Sequence, residues 1–586
     1  MTNQEIAHLL RQVAAAFEVE DDNFFRVRAY QNAASSIEES AVPLKNLWEK
    51  GKLDDIPGIG PNIAQHLDEL FKTGKVKHFM QETRNLPQGM FALLSIPNIG
   101  PKTAYKLAKE FKLESEETAI QNLFEHAKKG DIRDLPDFGE KSEQVILESL
   151  KAFTRIENRM LLIEGETIAE TVIEYLRKSP DVVEVEALGS LRRRAPTVGD
   201  VDIAVSTTKP DEVISYLLSF PQLKKVLATG ENVTRFMHSL GRQVDVKVQS
   251  PKEWGSTLQH YTGSKLHNIH LRTLAQRKDW SLSEYGIKKN SKLEQFRSEK
   301  EFYRALGLEL IPPELREDAG EIEAAANGKL PNLIDLNDIK GDLHIHTNID
   351  ISTSHDIGQN TVTEILEKAS ELGYKYIGLS DHNPKLSDLT PEKRQALVRY
   401  RNEFIDNAVE SFNSKRDRPV YVFKGLEIDI RPDGSLALEN DSLELLDYAI
   451  ASVHAQFQQD RKTATKRVLQ ALSHPKVKIF GHPTGRMLLK REGLDYDWEK
   501  IFSFCQENNK VLEINSSPYR LDLPEVLIRQ AISHNVDLII NSDSHNSENM
   551  PLIKYGVWNA RRGWAEAKNI LNTKPLNQVG KVILGK

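Results

Sequence analysis

The stretch Gly189–Val205, GSLRRRAPTVGDVDIAV, restricts what this chain can fold into more than any other. It ends in a β-run, Val201–Val205, with Asp200 and Asp202 set into it. Side chains two apart on a strand share a face. The two carboxylates therefore project together while Val201 and Ile203 turn into a core. They repel one another unless a cation lies between them, and oxygen donors with little else favour Mg²⁺ or Mn²⁺. Upstream, Gly189 and Ser190 bring bare backbone N–H groups close to a phosphate, and Arg192, Arg193 and Arg194 add positive charge. The arrangement suits a nucleoside triphosphate. A strand with one wet face would explain Asp-x-Asp alone; the combined run is more specific.

These residues resemble the palm of the family X DNA polymerases, the nucleotidyltransferases related to DNA polymerase beta. That family carries Gly-Ser, an Arg pair and Gly-Asp-x-Asp in this order, here Gly189, Ser190, Arg193, Gly199, Asp200 and Asp202. The resemblance implies a third carboxylate on a neighbouring strand, and Asp245 in RQVDVKV supplies it, about 40 residues on, a gap that fits a helix and a hairpin. Three carboxylates hold two metal ions for in-line displacement at phosphorus. The run Trp254–Ala275 resembles the family's thumb entry. His260-Tyr261-Thr262-Gly263-Ser264 matches the turn beside the incoming sugar, with Gly263 permitting the bend. Asn268 and Arg272 match positions at the nascent pair and the template, one helical turn apart and so on one face. The sequence departs from the family at Gln243 and Lys247, where arginines are usual beside the third carboxylate. Neither change removes a metal ligand.

At 586 residues the chain exceeds one core; roughly 150 residues per domain gives about four. No run of about 18 apolar residues marks a membrane span, and the polar start MTNQEIAHLL is no signal peptide. The one cysteine, Cys505, excludes an internal disulfide and a zinc ribbon. A reducing cytoplasm is expected, with nucleoid association when on DNA. The net charge of −7 argues against coating nucleic acid by bulk charge but leaves room for local basic faces.

Residues 1–85 read as helices, and Ile56-Pro-Gly58-Ile-Gly60-Pro61 sets a tight turn against a helix N-terminus whose free N–H groups suit an anion. The pattern recurs at Ile96-Pro-Asn-Ile-Gly100-Pro-Lys102 and, more loosely, at Leu135-Pro-Asp-Phe138-Gly139-Glu-Lys141. Three copies about 40 residues apart resemble helix-hairpin-helix modules, which grip the sugar–phosphate backbone without reading sequence. Phe138, where a turn residue is usual, sets the third apart and suggests a structural role. In family members with deoxyribose-phosphate lyase activity, the helix after the first hairpin carries a Schiff-base lysine. Here that position is His66, with Asn62 just before, and imidazole cannot form the adduct. Lys72 and Lys75 lie off the motif.

From residue 339 the chemistry changes. His344 and His346 share a face at the end of a short apolar run, and further runs end on Ser380-Asp-His382, Glu427-Ile-Asp429, His454, His482 and Asp543-Ser-His545. Amphipathic stretches such as Thr361–Leu372 and Arg461–Leu472 lie between. Polar groups at strand ends, alternating with helices, describe a β/α barrel. The segment resembles the PHP phosphoesterase domain, a distorted (β/α)₇ barrel with a trinuclear metal site. The resemblance implies His344, His346, His382, Glu427, His454, His482, Asp543 and His545 as ligands, with Glu427 bridging. Where the family has a short His-Thr-x-x-Ser-Asp-Gly turn, this loop is longer. Asp356, followed by Gly358, is the ninth ligand chosen, with Asp350 or His355 as alternatives. Such a mixed donor set suits up to three Mn²⁺, Zn²⁺ or Fe ions. Arg486 and Lys490 offer charge for a DNA strand, or a solvated helix face.

Together these features resemble the bacterial and archaeal family X polymerases that carry a PHP domain. The expected layout is a lyase-like helical domain (1–85), fingers (86–155), an α+β palm (156–255), a thumb (256–318), a linker (319–338) and the PHP barrel (339–586). The resemblance implies gap-filling repair synthesis from dNTPs on gapped or primer–template DNA, by a monomer off the membrane, coupled to a metal-dependent 3′→5′ exonuclease. The alternatives are an idle palm that presents gapped DNA to the nuclease, and a small-molecule phosphatase in the barrel.

Overall fold

The computed structural model describes residues 3–20, 23–39, 44–49, 51, 53, 59–96, 98–157, 159–387 and 389–585. The chain divides into two compact units, residues 1–158 and 159–586. The first is helical throughout its described residues. The amphipathic helix Asn3–Val19 contributes to two cores: Ile6, Leu10 and Phe17 pack with Tyr30, Leu67 and Phe79, while Ala15 and Ala16 join Phe91, Leu107 and Leu123.

The second unit opens with a five-stranded sheet. Its order is Glu184–Ala187, Val201–Ser206, Gln243–Gln249, Val233–His238, Leu223–Thr229, and only the second and third strands run parallel. The helix Leu162–Leu176 covers one face through Ile168, Val172 and Leu176. Two helices, Trp254–Thr262 and Lys265–Gln276, and a three-stranded antiparallel sheet (residues 280–294) follow.

Residues 319–338, expected as a linker, are folded. Glu321–Ala326 is a helix whose Ile322 and Ala325 share a core with Leu271, Phe302, Leu308 and Leu315. Glu321 is fully buried against His267, 2.5 Å between Oε1 and Nδ1. An acidic, Asn-rich composition read as a connector because its charges are matched only in three dimensions.

From Gly341 the chain forms a seven-stranded parallel barrel in sequence order, each strand followed by helical or looped return. His346 N–H donates to Ser544 O at 2.9 Å and brings the last strand's end against the first, so the barrel is nearly closed. Leu343, Tyr376, Phe423, Tyr448, Ile450, Ile479, Val511 and Ile539 fill the interior. Val579 and Ile583 of the C-terminal helix Leu576–Leu584 plug one end. This is the all-α, α+β and distorted (β/α)₇ layout expected. Among the described residues, no helix is long and apolar enough to cross a membrane.

Candidate active sites: a carboxylate triad and a histidine-rich barrel mouth

In the palm, Asp202 and Asp245 are register partners on adjacent parallel strands, and Asp200 stands two residues before Asp202. Burial, then the charges of Asp202 and Asp245, raise the Asp200 pKa. That mutual repulsion, in a cluster of oxygen donors, fits divalent metal ions. Protein cations share the cluster: Lys247 Nζ donates to Asp202 Oδ1, and Arg235 grips Asp245 with Nη2 at 2.7 Å from Oδ2. Gln243 Nε2 donates to Asp245 Oδ1 at 2.9 Å. The two departures from the family pattern thus both bear on the carboxylates. Gly189 has φ +59°, and a Cβ there would lie 3.1 Å from Asp202 Oδ2, so the Gly-Ser turn abuts the carboxylates as expected. Ser190 lies within that turn, and Gly199 immediately precedes Asp200.

The three arginines are not a loose basic loop. Arg192 forms a bidentate pair with Glu299 (3.0 and 2.7 Å) and donates to Thr262 Oγ1; Arg193 bonds Glu317 and Thr262 O; Arg194 bonds Glu166. Their charge is matched by protein carboxylates, which corrects the expectation of three cations free for phosphate.

Gly263 does not bend through a left-handed backbone; its φ is −59°. Glycine is required there because a Cβ would stand 2.7 Å from both Asn268 Oδ1 and His267 Cδ2. Asn268 latches the turn, donating to His260 O at 2.8 Å and accepting from Gln259 Nε2 at 2.9 Å. Tyr261 is half-buried with Lys247 Nζ 4.9 Å from its ring centre, and Arg272 is exposed. His267 is no part of a polar helix face: it is buried between Glu321 and Tyr303.

In the helical unit, Gly58 lies outside the described residues. Gly60 and Gly100 cap the helices Pro61–Thr73 and Pro101–Glu110 with nearly identical backbones, φ −82°, ψ 169° and φ −81°, ψ 170°. Neither these angles nor packing demands glycine, since a Cβ at 60, 100 or 139 meets nothing within 4 Å. Small residues there leave room for a close external backbone. The third copy departs less than expected: Asp137 (φ +69°) matches Asn98 (φ +66°), and Phe138 takes the place of Ile99 in the same turn. Lys102 is exposed in the first turn of its helix. His66 shares a hydrogen bond with Tyr30 OH at 2.9 Å and lies with its ring 4.8 Å from that of His78 in a tilted pair; burial, then the His78 charge, lowers its pKa. Lys72 pairs with Asp68.

All nine barrel residues chosen converge at the strand C-termini. His344 Nε2 lies 3.2 Å from Glu427 Oε2 and 3.5 Å from Asp543 Oδ1, and His346 Nε2 lies 3.6 and 3.3 Å from the same two atoms. His454 Nε2 and His482 Nε2 approach Glu427 Oε1 at 3.3 and 2.9 Å, so Glu427 stands between two groups as a bridging carboxylate would. Asp356 Oδ1 lies 3.7 Å from His382 Nε2 and its Oδ2 3.5 Å from His545 Nε2. Asp356 thus stands beside His382 and His545 of the group His346, His382 and His545, while the alternative His355 stands with Asp429 and His454 in another group whose ligand atoms lie within 4.8 Å of one another. Asp350 only accepts from Ser352 N, and His355 Nε2 bonds Asp429 at 2.8 Å. His482 (φ +26°) and Asp543 (φ +56°) occupy the left-handed region, a strain typical of functional sites.

Metal ions fit this cluster. His344 Nε2, both ring nitrogens of His346, His382 Nδ1, Glu427 Oε2 and His545 Nε2 are buried with no hydrogen-bond partner. Orphaned buried nitrogens are rare in folded proteins and expected of ligands. Burial, then the His545 charge, pushes His346 down to about 4, and burial pushes His382 down to about 3, leaving both neutral as ligation requires.

Of the two residues that aim these ligands, sequence reading named Asp429 at a strand end and missed Glu513. Glu513 Oε1 accepts from His344 Nδ1 at 2.7 Å and its Oε2 from His482 N at 2.7 Å. Asp429 accepts from His454 Nδ1 at 2.6 Å. A carboxylate inside the apolar strand VLEIN was the signal available for Glu513. Such partners fix imidazole orientation. Glu513→Gln should lower the barrel's metal affinity about 10–100-fold, read by titrating Mn²⁺ or Zn²⁺ into the apo protein; unchanged affinity would make Glu513 a bystander. Arg486, expected near DNA, instead donates to the Arg520 and Leu521 carbonyls from a turn, and not from a helix; Lys490 is exposed.

Family models match in four places: a helix-hairpin-helix domain at residues 1–76, a SAM-like helix-hairpin-helix tandem at 91–152, the DNA polymerase beta thumb at 257–317 and a PHP domain at 342–517. Asp543 and His545 lie past the last match, and the barrel's closure brings them in. The chain is 34% identical over 583 residues, 99% of each protein, to the DNA polymerase/3′-5′ exonuclease PolX of Bacillus subtilis (strain 168). It is 27% identical over 251 residues to a probable phosphatase of Thermoanaerobacter sp. (strain X514), covering 41% of this chain and 91% of that one. To the DNA polymerase lambda of Arabidopsis thaliana it is 24% identical over 284 residues, 44% of this chain and 49% of that one. With the relative from Bacillus subtilis matched end to end, the chain belongs to the family X DNA polymerases that carry a C-terminal PHP domain.

Proposed function

We propose that this protein fills short gaps in DNA from dNTPs at Asp200, Asp202 and Asp245, and removes 3′ nucleotides at the barrel mouth. The observation that carries the reading is the coexistence of two complete and chemically different donor sets on one chain. One is all-carboxylate beside a Gly-Ser turn; the other is histidine-rich and buried, with orphaned nitrogens. Bound divalent ions would supply charge neutralisation at phosphorus in both, and an activated water in the barrel.

The chain's own residues set the rest. Gly189 and Ser190 present the triphosphate to the carboxylates. The turn latched by Asn268 walls the sugar with Tyr261, and Arg272 faces the template. Gly60, Gly100 and Lys102 hold the duplex backbone, supported by glycines that neither φ nor packing explains. In the barrel Asp429 and Glu513 hold His454 and His344 in one orientation. The ions are proposed as Mg²⁺ or Mn²⁺ in the palm and Mn²⁺, Zn²⁺ or Fe in the barrel. The reading is tested by primer extension and degradation on a one-nucleotide gap with Mg²⁺ or Mn²⁺; extension alone or degradation alone would remove half of it.

Lyase chemistry is not part of it. His66 is held by Tyr30 in an aromatic cluster and offers no amine. Borohydride trapping on a 5′-deoxyribose-phosphate substrate should yield little adduct, and efficient trapping on a lysine near His66 would place the nucleophile elsewhere.

A further inference from the structure

The helix Ile553–Arg562 belongs to the PHP barrel. It follows the turn that carries Asp543 and His545, and its Val557 and Ala560 pack in the barrel's outer core. Its other side meets the palm. Tyr555 is buried within the palm core beside Val172, Val201 and Val244, and Trp558 packs against that core. Four of its side chains, Lys554, Tyr555, Trp558 and Arg562, reach the nucleotide turn directly or through one residue. Arg562 Nη1 donates to the backbone carbonyl of Arg193 at 2.9 Å. The Trp558 ring lies under the Arg194 guanidinium, 3.9 Å from its centre. Tyr555 OH donates to Glu166 Oε2 at 2.6 Å, and Glu166 Oε1 accepts from Arg194 Nη1 at 3.0 Å.

The grip falls on the strained part of the turn. Gly189 enters with φ +59° and Arg194 leaves with φ +56°, a region that a side-chain-bearing residue adopts only when its surroundings enforce it. The surroundings of Arg194 are Glu166, itself held by Tyr555 and by Lys554 Nζ at 3.0 Å, and Trp558. Arg562 is held in turn by Glu317 at 3.0 Å and Glu525 at 2.8 Å. The exit of the turn is therefore shaped by the barrel, while its entry abuts Asp202.

We propose that the PHP barrel supplies positioning residues for the polymerase reaction: Trp558, Tyr555 and Arg562 hold the exit of the Gly189–Arg194 turn in the conformation that receives the dNTP phosphates. The proposal rests on the reading that this turn binds a dNTP. None of these residues is a partner of Asp200, Asp202 or Asp245, and all act through the turn. Their effect is on the geometry of the phosphate-binding backbone, and so on nucleotide affinity more than on the chemical step.

The test uses the full chain and single-nucleotide incorporation with varied dNTP. Trp558→Ala removes the ring beneath Arg194 and should raise the dNTP KM about five- to tenfold, with kcat changed by less than about twofold. Trp558→Phe keeps an aromatic face and should restore most of the affinity. Tyr555→Phe, which keeps the packing and loses one hydrogen bond, should raise KM about two- to fivefold. The 3′ degradation rate of each variant should match the wild type, which shows that the barrel is folded around the altered helix. A KM unchanged in both Trp558→Ala and Tyr555→Phe overturns the proposal. So does a parallel fall in kcat and nuclease rate, which would make the helix a structural prop only. Absence of dNTP incorporation by the wild type would overturn the nucleotide reading itself, and is distinguishable because it needs no variant.

Discussion

Asp200→Ala and Asp245→Ala should each abolish nucleotide incorporation, by about 10³-fold or more, and leave 3′ degradation near the wild-type rate. The size follows from the several kcal/mol that a metal clamp contributes to phosphoryl transfer. The selectivity follows from placement: the triad draws on two palm strands and none of the barrel ligands. Neither change threatens the fold. Asp245→Ala leaves Arg235 without its partner, but that side chain is 48% exposed and can turn to water. For Asp200 the sign runs toward stability. Its folded pKa is raised, so its ionised form costs stability that is fully regained below the ordinary carboxylate range and lost as pH rises through the raised value. Without added metal, Asp200→Ala should melt no lower than wild type at neutral pH. Loss of both activities in the folded Asp200→Ala protein would contradict two independent sites.

The second large effect is in the barrel. His344→Ala with His346→Ala should eliminate 3′ degradation while primer extension survives. The two imidazoles come from one strand end and face the same carboxylate atoms of Glu427 and Asp543, so losing both dismantles one metal position. The residues differ in their cost to the fold. Neither ring nitrogen of His346 has a hydrogen-bond partner, and only its Nε2 approaches Glu427 and Asp543, at 3.6 and 3.3 Å. His344 neutralises Glu513 and Glu427 in a fully buried setting, where burial disfavours its charge but Glu513, Asp543 and Glu427 hold its pKa well above the ordinary value. Removing it leaves carboxylates uncompensated. His346→Ala alone is therefore the cleaner variant, and melting curves with and without Mn²⁺ separate lost ligation from lost folding. A folded double variant that still degrades 3′ ends would place the nuclease outside this barrel.

What the sequence disclosed were donors, because carboxylates and imidazoles interrupt apolar runs at intervals that strands impose. Asp200, Asp202 and the barrel histidines stood out on that ground, and the family resemblance pointed to Asp245 and to the ligand set. Their partners were not. Glu513 contacts His344 from 169 residues away, and Glu321 contacts His267 from 54, so no local pattern links either pair. The three arginines after Ser190 looked like free charge because Glu299, Glu317 and Glu166 reach them only in the fold. The same applies to residues 319–338, whose charges read as solvated until the buried His267–Glu321 pair was in view. The long loop between His346 and Gly358 left three candidates for one ligand. In the fold Asp356 approaches His382 and His545, and His355 approaches Asp429 and His454.

The most direct measurement follows extension and degradation of one labelled primer on a one-nucleotide gapped duplex, with dNTPs and Mn²⁺, for four proteins: wild type, Asp245→Ala, His346→Ala and the combination. Two separate active sites on one chain predict both activities in wild type, only degradation in Asp245→Ala, only extension in His346→Ala, and neither in the combination. A single substitution that removes both activities from a folded protein, or a combination that retains either, would contradict it.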